Sequence, residues 1–180
     1  MAWSWAAVSL WGAATLMAAD QYGLSPGQPE IKSVSAIAFG PAGILFVGDS
    51  QSGAVFALQT GDTTGDPASA ACDVPDLAGR IGEVVGANPT SVNVRDLAVN
   101  PLSGHVFVAA TAAGRTVLVR IQGSEVTPVS LEKIPFAKAQ LVDVREDKVV
   151  GEGPRARNHR SATITDLAFA DGYVLVSGVS

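Results

Sequence analysis

Two carboxylates recur at one place in a repeat. Asp96 precedes Leu97-Ala98-Val99, Asp166 precedes Leu167-Ala168-Phe169, and Ala36 holds that place before Ile37-Ala38-Phe39. Carboxylates at matching ends of neighbouring strands would converge on one cation, and calcium takes six to eight oxygen ligands. Asp96 and Asp166 are therefore candidate metal ligands for calcium, with Asn100 or Asp49 as further oxygens. The competing reading is local: each Asp accepts hydrogen bonds from nearby backbone N–H groups. The other dense group is Arg155, Arg157, His159 and Arg160 in GEGPRARNHR. Three guanidinium groups would clamp a phosphate or carboxylate. With Glu152 beside them and no aromatic interleaved, they also suit a solvated surface loop. Asp49 in GDSQSG and His105 after Ser103-Gly104 read as turn residues. The chain has no P-loop, GxSxG, HExxH or dinucleotide fingerprint. A single cysteine, Cys72, excludes an internal disulfide, and two histidines exclude a His-rich metal site within this chain.

The elements that must position these residues are short strands. Residues 94–121, VRDLAVNPLSGHVFVAATAAGRTVLVRI, read as three strands joined by tight turns. Residues 34–58 and 164–180 repeat the pattern, with 60 residues from Ala36 to Asp96 and 70 from Asp96 to Asp166. The strand around residues 44–48, ILFVG, is apolar at successive positions, as in a sheet covered on both faces. Four-stranded units at this spacing predict an all-β protein of β-propeller blades, each antiparallel and needing a neighbour on either face. The recurring Ala38, Ala98 and Ala168 would sit where adjacent inner strands crowd. Ile37, Leu97 and Leu167 would fill the opposite face.

The divisions follow. Residues 33–58 form blade 1, 59–92 an insert, 93–131 blade 2, 132–161 a connection and 162–180 the start of blade 3. Within the insert, Leu77, Ile81, Val84 and Val85 mark one face of a short helix near residues 76–86, capped by Asp73 or Asp76 and ended by Gly86. A further strand is expected near residues 140–144. Residues 20–32 read as a linker. Residues 1–19 are apolar up to Ala18-Ala19 and suit a signal peptide or, failing cleavage, a membrane anchor. Either places the protein in the periplasm or cell envelope, or outside the cell.

Composition narrows the function classes. The chain has 180 residues, 47% hydrophobic and 16% charged, with a net charge of −5. A nucleic-acid surface needs a basic stripe, which that balance opposes. The pattern x-[LI]-A-[FV]-x-P-x-G followed by ILFVGDSQSGAVFAL resembles blades of secreted NHL-type and lactonase-like propellers. The resemblance implies an exported propeller segment, about two and a half blades of a larger ring, acting as a binding scaffold for a protein or small molecule. It also implies an alternative, a calcium-dependent lactonase or esterase with Asp96 and Asp166 lining the channel. A structural module of the cell envelope is a third expectation.

Overall fold

The computed structural model describes residues 21–179, so the expected signal peptide or anchor lies outside the described residues. Among the described residues no helix is long and apolar enough to cross a membrane. Strands dominate the regular structure. Strand β1 (Ser25–Gly27) is followed by a three-stranded meander, β2 (Ala36–Phe39), β3 (Ile44–Asp49) and β4 (Ala54–Gln59). Leu45 and Val47 of β3 enter a core with Phe56 and Leu58, while Ile44 and Phe46 pack on the other face. Burial on both faces explains the continuous apolar run.

The helix α1 (Leu77–Val85) forms where its spacing predicts. The Asp76 side chain accepts the Gly79 N–H at 3.1 Å, and Gly86 closes the helix in the left-handed region. Gly79 weakens the helix but leaves room for the capping Asp76 carboxylate, which a Cβ there would push aside. The helix lies on a second sheet, β5 (Val92–Val99), β6 (Val106–Ala112), β7 (Arg115–Gln122) and β8 (Glu125–Pro128), paired in that order. Ile81 of α1 is fully buried against Val108, Val119 and Ile121. Such a side chain contributes about 1.5–3 kcal/mol by leaving water, which is how a glycine-rich helix persists.

After the second sheet the chain goes back. Strand β9 (Ile134–Gln140) pairs antiparallel with β4, and β1 pairs with β9, so the first sheet has the order β1-β9-β4-β3-β2. The strand expected near residues 140–144 thus lies earlier, the connection 132–161 supplies a strand, and the expected linker supplies β1. The physical reason is the outer edge of β4: left unpaired, it would expose a row of N–H and C=O groups. A small hairpin, β10 (Val149–Val150) and β11 (Arg157–Asn158), precedes β12 (Asp166–Ala170) and β13 (Tyr173–Ser177), which pair with each other.

The return of β9 sets the spatial order. Strand β2 is flanked by β5 on one side and β12 on the other. Ile37 packs with Phe107, Ala109 and Leu118 of the second sheet, and Phe39 meets Phe107 edge to face at 5.0 Å. Ala36 and Ala38 face the other way, against Ile164, Leu167 and Val174. Second sheet, first sheet and C-terminal hairpin therefore stack in that order, although the chain makes the first sheet first. Ala98 lies at the β5–β2 crowding point and Ala38 at the β2–β12 one, as the repeat predicts, whereas Ala168 is exposed on the outward face of β12, with no strand beyond it among the described residues. Leu97 does not fill a face: it is 55% exposed on the outward side of β5, beyond the reach of α1. Leu175, on the outward side of the hairpin, is 54% exposed.

Candidate functional site

The repeated carboxylates have unlike duties. Asp96 Oδ1 accepts the N–H of Leu97 at 2.8 Å, and its Oδ2 reaches across to accept the N–H of Ile37 on β2 at 2.8 Å. The carboxylate thus joins the inner strands of the two sheets. It takes this role because Ala36 has no side-chain oxygen with which to serve Ile37. Asp166 accepts its own Leu167 N–H at 2.8 Å and is exposed on the face turned away from the first sheet. The two carboxylates lie on opposite flanks of β2 and do not meet. Among the described residues no group of three or more His, Cys, Asp or Glu side chains is arranged to hold a metal ion. Asp96, with both oxygens on backbone donors, does not fit a calcium site.

The residue before Asp96 is the one that faces a cavity. Pairing of β5 with β6 shifts register between Val94 and Asp96, so Arg95 is the extra residue of a β-bulge. Bulges re-aim a side chain locally. Arg95, exposed, lines a hollow of about 390 Å³ to which all three stacked units contribute. Ser33, Ser35 and Ser50 come from the first sheet and its approaches, Ser161 and Thr165 from the segment leading into the hairpin. Ser35, Arg95 and Thr165 occupy equivalent positions, one residue before Ala36, Asp96 and Asp166. The three inner strands begin around one opening. The guanidinium of Arg95 makes no hydrogen bond or ion pair among the described residues, whereas the hydroxyls behind it are fixed. Ser50 Oγ accepts the Ile164 N–H at 3.1 Å and lies 3.1 Å from both the Ile164 carbonyl oxygen and Ser35 Oγ.

Sequence reading passed over Arg95, yet the signal is there. Apolar residues Val92, Val94, Leu97 and Val99 share one face of β5, and the step from 94 to 97 breaks the strict alternation of a strand. That break is the bulge.

The arginine-rich loop is mostly a clasp. Arg160 donates from Nε and Nη2 to the Gln51 carbonyl at 3.1 and 2.9 Å and from Nη1 to the Arg145 carbonyl at 2.6 Å. Arg157 Nη1 reaches the Pro154 and Ala156 carbonyls at 3.4 Å. Arg155 is exposed. Asp147 accepts from Gln51 Nε2 at 2.5 Å and from Asn158 Nδ2 at 2.7 Å, and the Asn158 and Gln51 bonds hold its carboxyl below the ordinary range. Together these bonds pin the loop to the β3–β4 turn.

Asp49, fully buried, is the turn residue expected. It accepts N–H groups from Lys32, Ser33 and Ser52 at 2.8, 3.1 and 3.0 Å and the Ser33 hydroxyl at 2.7 Å. Burial works against its charge, but the bonds from Ser33, Ser52 and Lys32 outweigh it and hold the carboxyl below the ordinary range.

A second buried carboxylate, Asp62, had no sequence signal beyond a polar loop. Its Oδ2 accepts Ser103 Oγ at 2.5 Å and Asn100 Nδ2 at 2.8 Å, and its Oδ1 lies 2.8 Å from His105 Nδ1 and 3.7 Å from Arg120 Nη1. It fastens the crossing loop to the β5–β6 turn, and the turn role expected of His105 is part of that fastening.

Comparison with family models, with curated proteins and with solved structures found no match.

Proposed function

We propose that the chain is a stack of β-propeller-type blades from an exported protein and works as a binding scaffold, taking its ligand at the hollow around Arg95. The observation that carries this reading is the convergence of Ser35, Arg95 and Thr165, equivalent positions of three repeats, on one cavity. A propeller gathers its ligand contacts in this way, one from each of several blades. An unpaired guanidinium selects an anion, with the charge held by Arg95 and a hydroxyl donor supplied by Thr165 when Ser177 Oγ donates to it, while the Ser33 and Ser35 protons are held by Asp49 and the Gly48 carbonyl. Binding is favoured over hydrolysis because the lining holds hydroxyls but no carboxylate, histidine or cysteine to serve as base.

The test is an NMR titration of the protein with acetate, glycolate and inorganic phosphate, read at the Ser35, Arg95 and Thr165 amides. Saturable shifts at those amides, weakened roughly tenfold or more in Arg95→Gln, are expected. Unchanged affinity in Arg95→Gln, or no saturable shift with any of the three anions, would overturn the reading.

A further inference from the structure

A second cavity lies between the first and second sheets, away from the hollow. It is a cleft of about 550 Å³, lined by Gln59, Phe107, Arg120, Thr127, Ser130 and Lys133 among others. This volume is in the range of small-molecule sites. Two of its side chains are cationic, and no carboxylate lines it. Asp62 stands behind Arg120, but at 3.7 Å, with the near oxygen already 2.8 Å from His105 Nδ1. Arg120 is thus steered by Asp62 while its remaining N–H groups stay unspent, and its side chain is 37% exposed. Lys133 is exposed and makes no ion pair among the described residues.

Gln59 is buried and its Nε2 donates to the Ala42 carbonyl at 2.8 Å, which leaves Oε1 buried without any donor. A buried acceptor of this kind is served by an ordered water at the floor of the cleft. Thr127 Oγ donates to the Arg120 carbonyl at 3.3 Å, so its lone pairs are open to a further donor. Pro128 and Pro135 add apolar surface suited to the C–H face of a ring.

We propose that this cleft binds a small hydroxylated carboxylate of the sugar-acid kind. The carboxylate pairs with Arg120 and Lys133, and a ring hydroxyl donates to Thr127. Because one wall comes from each sheet, the ligand also bridges the two sheets.

The probe is D-glucuronate, compared with D-glucose, which lacks the carboxylate, and cyclohexanecarboxylate, which lacks the hydroxyls. Binding is followed by NMR at the Gln59 side-chain amide and the Arg120 Nε–H. Saturation by glucuronate is expected, with both comparison compounds weaker by roughly tenfold or more. Lys133→Gln, at an exposed position outside the core, is expected to weaken glucuronate by roughly fivefold to tenfold. Arg95→Gln leaves it unchanged, so failure here and failure of the hollow are separate results. Equal affinity for glucose and glucuronate, an unaffected Lys133→Gln protein, or no saturation by glucuronate would each overturn the proposal.

Discussion

Replacing Asp96 by asparagine tests whether this carboxylate is a tie between strands or a ligand for something else. The amide is nearly isosteric, but only one of its two terminal atoms accepts a hydrogen bond. In the wild type both oxygens are used, one on Leu97 N–H and one on Ile37 N–H, each at 2.8 Å. The substituted amide can serve one of them and turns an NH₂ group toward the other. A hydrogen bond to a charged acceptor contributes about 1.5–3 kcal/mol, so the expected loss is about 2 kcal/mol. For a chain of this length that corresponds to a fall in Tm of about 4–8 °C. Asp166→Asn is the internal comparison. Asp166 accepts only Leu167 N–H and is exposed, so its amide keeps the bond and the loss is within about 0.5 kcal/mol. Urea denaturation of both variants, repeated with calcium and with a chelator, gives the answer. Equal losses in the two variants would refute the reasoning. So would a calcium-dependent rise in Tm of the wild type that Asp96→Asn abolishes, since that is the behaviour of a metal ligand.

Two further outcomes follow from the buried carboxylates. Asp49 titrates below the ordinary range when folded because Ser33, Ser52 and Lys32 donate to it against the cost of burial. A depressed folded value means its stabilisation is complete above the unfolded pKa and is lost as pH falls through the folded one. Stability measured by denaturation should therefore fall on the acid side, and Asp49→Asn should flatten that fall; an unchanged acid limb would contradict this. Asp62→Asn leaves at least one of Ser103, Asn100 and His105 without its acceptor in a buried setting. The expected cost is about 2–4 kcal/mol in urea denaturation, and a loss below about 0.5 kcal/mol would show that the hub is not a fastening.

The local structure was legible wherever burial imposes a period. The run ILFVG reads as a strand covered on both faces, and Leu45, Val47, Ile44 and Phe46 divide between two cores as that implies. Leu77, Ile81, Val84 and Val85 give the helix, and Asp76 and Gly86 its ends. Pairing between distant segments was not legible. Strand β9 has no feature that names β4 as its partner; the match arises because β4 offers an open edge after the chain has left it. Nor does the order second sheet, first sheet, hairpin appear in the repeat, which fixes the faces of each unit but not which neighbour covers them. The repeated Asp marks position 96, and the residue proposed to bind a ligand lies one position earlier. Arg95 is exposed, and the bulge sets it at the rim of the hollow beside Ser35 and Thr165. Asp62 was invisible for a different reason, since its partners Asn100, Ser103 and His105 are brought to it only by tertiary docking of the loop.

The return of β9 to the first sheet leaves β2 between β5 and β12 and brings Ser35, Arg95 and Thr165 around one hollow. The most direct test is a disulfide between Ala57 and Ala137, which are register partners on β4 and β9. Cross-strand partners lie about 4.5–5.5 Å apart at Cα, within disulfide reach. With the exposed Cys72 changed to Ser, Ala57→Cys/Ala137→Cys is predicted to oxidise quickly to an intramolecular disulfide and to lose no stability. Persistence of the free thiols, or a cross-link only between molecules, would contradict the arrangement on which the proposed binding site rests.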